Sequence, residues 1–166
     1  MTMFLREETI KKMHCGVFHA PKEATILLMP ELEPIINLSP VPNNYTWDVK
    51  VHMLMPGQFP CIPNWHYDFT PRDSEGEKEE WRRDRRHRMF MWVSGPPYTI
   101  FRDGPVGCQK WKEFSQFDEH TGAPAEEHGW RVFIRAVPTD LCSVAPSSQW
   151  LRRHSQVYLD AARYEW

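Results

Sequence analysis

Polar and apolar residues alternate most clearly over 47–55. Trp47, Val49, Val51, Met53 and Met55 fall on one side, and Asp48, Lys50 and His52 on the other. A period of two sustained over nine residues predicts a β-strand. The turn-rich stretch PGQFPCIP follows, and NWHYDF (64–69) reads as another strand entered from that loop. MFMWV (89–93) and YTIFR (98–102) read as strands split by the turn SGPP. A further strand is expected within 111–117, and WRVFIRAV (130–137) is the clearest late one. The short apolar run ATILLM (24–29) also predicts a strand. Residues 1–20 are weakly patterned, with a short helix over 9–13. Residues 30–44 carry four prolines and read as irregular. From Ser148 onward, Trp150, Leu151, His154, Val157, Tyr158 and Ala161 recur at helical spacing, which predicts a terminal helix over 148–166.

Seven or so short strands without a βαβ rhythm describe a mainly β protein. The arrangement points to an antiparallel sandwich or barrel, with a jelly roll among the leading candidates. The expected organisation is a single domain over 1–166, a jelly-roll core over 45–140 and helices at its periphery. Composition agrees. A chain of 166 residues, 41% hydrophobic and 25% charged, has the length of one globular domain, and its 15 prolines argue against a helical bundle. Tryptophans 47, 65, 92 and 130 lie in expected strands and read as core packing.

A net charge of −2 gives no support to nucleic-acid binding by bulk electrostatics, though it leaves room for a local basic face. The stretch 72–88 interrupts the strand pattern, and 13 of its 17 residues are charged, so it reads as a solvated insert. Its acids precede its bases, which suits a helix dipole, and Ser74 with Glu77 forms a capping box. A contact surface for a phosphate-bearing substrate is the sharper reading of the same insert. No stretch is apolar enough to cross a bilayer as a helix, and the N-terminus is too charged for a signal peptide, so no membrane association is expected. None of the four cysteines lies in a CxxC pair, and reduced thiols in a cytoplasm are expected.

Candidate chemistry begins with His66 and Asp68. Two residues apart on a strand, their side chains point to the same face, while Trp65 and Tyr67 point away. His120 precedes a TGAP turn. Arg131 and Arg135 follow on one face of the late strand, with Phe133 between them. An inward arginine requires a partner, and a bidentate carboxylate fits its fork best. Two imidazoles and one carboxylate on one face of an octahedron leave three positions open, an arrangement suited to non-heme Fe(II).

The pattern of His66-x-Asp68, His120 and Arg131 resembles the Fe(II)/2-oxoglutarate-dependent oxygenases. Its interval is similar to that of the taurine dioxygenase and clavaminate synthase branch, over about residues 56–137. The resemblance implies a double-stranded β-helix, with His66, Asp68 and His120 binding iron. It further implies that Arg131 pairs with the distal carboxylate of 2-oxoglutarate and that Arg135 is a second anion anchor. Thr99, on a central strand beside Tyr98, would add a hydrogen bond to the cosubstrate. The implied activity is oxidative decarboxylation to succinate and CO₂ coupled to hydroxylation by O₂ of a small-molecule or anionic substrate. The chain is shorter than typical members of that branch, and the insert at 72–88 stands where they often carry substrate-binding segments.

His128 competes with His120 as the distal ligand. It lies only three residues before Arg131, too few for a loop to cross a barrel, so the strand–loop–strand order favours His120. His52 reads as structural. A cupin-type metalloprotein is one alternative, although cupins more often show HxH followed closely by Glu and have no use for the later arginine. A non-catalytic jelly-roll binding or structural module is another, and chelation would separate it from a metal protein. Neither GxSxG nor a phosphate-binding glycine loop is present. Substrate identity and oligomeric state stay open.

Overall fold

The computed structural model describes residues 5–13, 16–68, 87–141 and 157–159. In these the protein is mainly β, with two antiparallel sheets. The larger contains β1 (Val17–Pro21), β2 (Tyr45–Leu54), β3 (Met89–Val93), β6 (Lys112–Phe114) and β8 (Gly129–Pro138), in the order β1-β2-β8-β3-β6. The smaller contains β4 (Thr99–Phe101), β5 (Gly104–Pro105) and β7 (His120–Gly122), in the order β5-β4-β7. The backbone of the large sheet is the ten-residue pairing of β2 with β8, in register from Tyr45 against Pro138 to Leu54 against Gly129.

Alternation along these two long strands gives the sheet two unlike faces. Trp47, Val49 and Val51 of β2 join Val132, Ile134 and Ala136 of β8 in one core. That core is covered by α1 (Glu7–Ile10), α2 (Lys22–Leu28) and α3 (Glu33–Asn37) with their flanking turns, through Ile10, Met13, Leu32 and Ile36. A second cluster packs Met89, Met91 and Val93 of β3 with Phe114 of β6 against Phe101 of β4, joining the two sheets. The other face of β2 and β8 carries Asp48, Lys50 and His52 opposite Arg135, Phe133 and Arg131. This polar face is not solvated. Asp48 and His52 are 0% and 1% exposed.

Five expectations change. Residues 24–29, expected as a strand, belong mostly to α2, because a short apolar run has no periodicity that separates helix from strand. Pro21 caps α2, and the Thr25 hydroxyl donates 2.9 Å to the Pro21 carbonyl. Within 30–44, a 3₁₀ turn (Pro30–Leu32) and α3 form, with Pro30 and Pro34 in first-turn positions where a missing N–H leaves nothing unsatisfied. The described part of NWHYDF, residues 64–68, forms a single bridge at His66 rather than a strand. Tyr158, expected on the terminal helix, is extended and bridges Phe59, with N···O distances of 2.8 and 2.9 Å. The rest of 148–166 lies outside the described residues, as does the insert at 72–88 apart from His87 and Arg88. Trp65 is 40% exposed, with the Arg102 guanidinium 3.7 Å from its ring centroid, so it is not core.

Candidate metal centre

His66 and His120 come together through their backbones. Each donates its N–H to the other's carbonyl at 2.9 Å, which makes them directly opposed residues of an antiparallel pair. Opposed residues project to the same side, and the two ring centroids lie 4.5 Å apart. Asp68 follows two residues later, and its Oδ2 lies 3.7 Å from His120 Nε2. One donor atom from each of His66, Asp68 and His120 lies within 4.8 Å of the others, and the three form a group that can hold a metal ion.

The imidazoles are pre-set for ligation. His66 Nδ1 is 2.7 Å from the Asn64 carbonyl and His120 Nδ1 is 3.1 Å from the Asp118 carbonyl. A carbonyl only accepts, so each Nδ1 carries the proton and each Nε2 presents its lone pair. His120 is 3% exposed. Burial pushes its pKa below the ordinary value against the pull of Asp68, which favours the neutral, ligating form.

Arg135 holds the carboxylate in place. Its Nη1 donates to Asp68 Oδ2 at 2.9 Å, while Nε and Nη2 donate to Asp48 Oδ2 at 3.2 and 2.7 Å. Asp48 Oδ1 in turn accepts the His19 backbone N–H at 2.8 Å. Burial would push the Asp68 carboxyl up, but the charge and hydrogen bond of Arg135, together with the His120 and His66 imidazoles, hold the pKa below the usual range. The expected second anion anchor therefore has a different position. Arg135 is a bridge between two carboxylates, because Asp48 faces it directly across β2 and β8.

Arg131 is in the opposite situation. It is 1% exposed, and its Nε has no hydrogen-bond partner among the described residues. Its guanidinium carbon lies 5.6 Å from the Phe133 ring centroid. Burial lowers its pKa to about 10, opposed only by the Cys61 thiol. A cavity of about 310 Å³ opens between these groups, lined by the three candidate ligands, Arg131, Arg135 and Thr99. Thr99 is 2% exposed, whereas Tyr98 is not part of the wall. His128 is exposed and apart from the group, which contains His120.

Asp48, Lys50, Cys61 and Tyr158 also belong to this centre, yet sequence reasoning did not assign them to it. One signal was available for the first two: an acid and an amine alternating with tryptophan and valine on a long strand.

No protein-family model, curated protein or solved structure matches the chain.

Proposed function

We propose that this protein is an Fe(II)- and 2-oxoglutarate-dependent oxygenase on a compact double-stranded β-helix, hydroxylating a small substrate. The observation that carries the reading is Arg131, a buried guanidinium with no acidic partner among the described residues, beside a His-Asp-His group in one cavity. An unpaired buried charge is costly, and a bidentate carboxylate is the ligand that relieves it. A cupin-type metal site offers no reason for that arginine.

On this reading His66 Nε2, Asp68 and His120 Nε2 would hold Fe(II), a donor set suited to that ion. Arg131 binds the distal carboxylate of 2-oxoglutarate and thereby directs its keto-acid end toward the metal group. Thr99 offers a hydroxyl from the same wall. Arg135 keeps Asp68 ionised and oriented, and Met91 and Phe133 supply apolar walls that limit water. When bound, iron and 2-oxoglutarate supply the oxidising chemistry with O₂, releasing succinate and CO₂.

The test is an anaerobic titration of the Fe(II)-loaded protein with 2-oxoglutarate, followed by the weak metal-to-ligand charge-transfer absorption. The band is expected only when both are present, and admission of air should then release succinate. Iron binding with no response to 2-oxoglutarate would overturn the proposal.

A further inference from the structure

Lys50 stands on the cavity-facing side of β2, directly opposite Phe133, which itself lies between Arg131 and Arg135 on β8. Its Nζ lies 5.8 Å from the Phe133 ring centroid, and among the described residues it makes no ion pair or hydrogen bond. Burial, and then the charge of Arg135, lower its pKa. Both carboxylates of the centre, Asp48 and Asp68, are engaged by Arg135. The cavity therefore contains two cations, Arg131 and Lys50, that no carboxylate among the described residues serves.

The charge balance separates their roles. Two carboxylates, one guanidinium and a divalent metal leave a single positive charge, and Arg131 makes it two. The two negative charges of 2-oxoglutarate cancel these, one carboxylate on the Arg131 fork and the other at the metal. Nothing in that balance serves Lys50, and one positive charge remains. We propose that Lys50 anchors a carboxylate on the primary substrate, so that the site selects small organic monoanions. This rests on the oxygenase reading of the cavity. One ammonium and one residual charge match a carboxylate better than a dianionic phosphate. Phe133, Met91 and Ile62, which line the same cavity, favour an apolar body on that acid.

The test uses full-length protein loaded with Mn(II), a redox-silent stand-in, and saturated with 2-oxoglutarate. Butyrate and its neutral isostere butyramide are titrated in, with binding read by tryptophan fluorescence and thermal shift. Butyrate is expected to bind on top of the cosubstrate, about tenfold or more tightly than butyramide, since a hydrogen bond between charged groups is at stake. Lys50→Gln should weaken butyrate by about the same factor while changing 2-oxoglutarate affinity less than about threefold, and Lys50→Arg should restore it. Arg131→Gln should do the reverse, weakening the cosubstrate. Equal binding of butyrate and butyramide overturns the proposal, as does a loss of 2-oxoglutarate affinity in Lys50→Gln as large as that in Arg131→Gln. If the wild type binds no 2-oxoglutarate but binds butyrate through Lys50, the oxygenase reading falls and the anion anchor stands. Tight 2-oxoglutarate with no butyrate binding sinks the anchor alone.

Discussion

Arg131 and Arg135 share a face of one strand, four residues apart, and differ in what stands opposite. Arg135 meets Asp48 across the sheet and Asp68 from the loop, 87 and 67 residues away in sequence. Arg131 meets His52. The residue types and their spacing are legible in the chain, whereas this difference is not, because it depends on the register of two strands far apart in sequence. Replacing Arg131 with Met removes an unpaired buried charge, so the ligand-free protein should gain about 1–4 kcal/mol in denaturant unfolding. The same variant should lose the thermal shift given by 2-oxoglutarate. A large loss of stability would mean that Arg131 has a structural partner. Asp48→Asn should keep the fold but release one side of Arg135, and with it the orientation of Asp68. Metal affinity, read by chelator competition, should fall about 10- to 100-fold, as it does when an outer-shell partner of a ligand is lost.

At the scale of elements, length decided what could be read. The ten-residue strands β2 and β8 advertise themselves by alternation, and their predicted extents lie close to those observed. The run at 24–29 carries no such signal, because five or six mostly apolar residues fit a buried strand and a helix equally. NWHYDF reads as a strand entered from the preceding loop, yet among its described residues only His66 pairs, and its convergence with Asp68 comes from the loop. The three-residue β7 is the element that matters most, since it delivers His120. Its last residue shows how tightly it is packed: a Cβ at Gly122 would sit 2.6 Å from Cys61 Sγ and 3.3 Å from the Cys61 carbonyl oxygen. Gly122→Ala should therefore destabilise by about 1–3 kcal/mol and weaken metal binding by displacing β7 from the 61–68 loop. Adding Cys61→Ala should recover part of both, a coupling that a double-mutant cycle in denaturant would measure. Additive effects would separate β7 from that loop.

Across the whole molecule, a net charge of −2 hides a cavity in which positive groups outnumber negative ones, so composition could exclude a generally basic protein but not reveal an anion site. The same protons link that cavity to global stability. His120 has its pKa lowered from 6.5 by burial, and Asp68 has its pKa lowered from 3.8 because Arg135 and the two imidazoles together outweigh burial. In both cases the unfolded chain binds the proton more readily than the folded one. Their contribution is therefore fully present above the unfolded values and lost as pH falls, first below about 6.5 for the imidazole and then below about 3.8 for the carboxylate. A metal bound to neutral His120 and ionised Asp68 competes with those protons, so it should stabilise most above pH 7. At about 100 times its dissociation constant it should add about 2.7 kcal/mol to unfolding. Paired thermal melts with Mn(II) and with EDTA should show that increment at pH 7.5, shrinking toward pH 5.5. A His66→Ala variant should show little increment at either pH. An increment that ignores pH, or that survives in His66→Ala, would place the metal somewhere other than this centre.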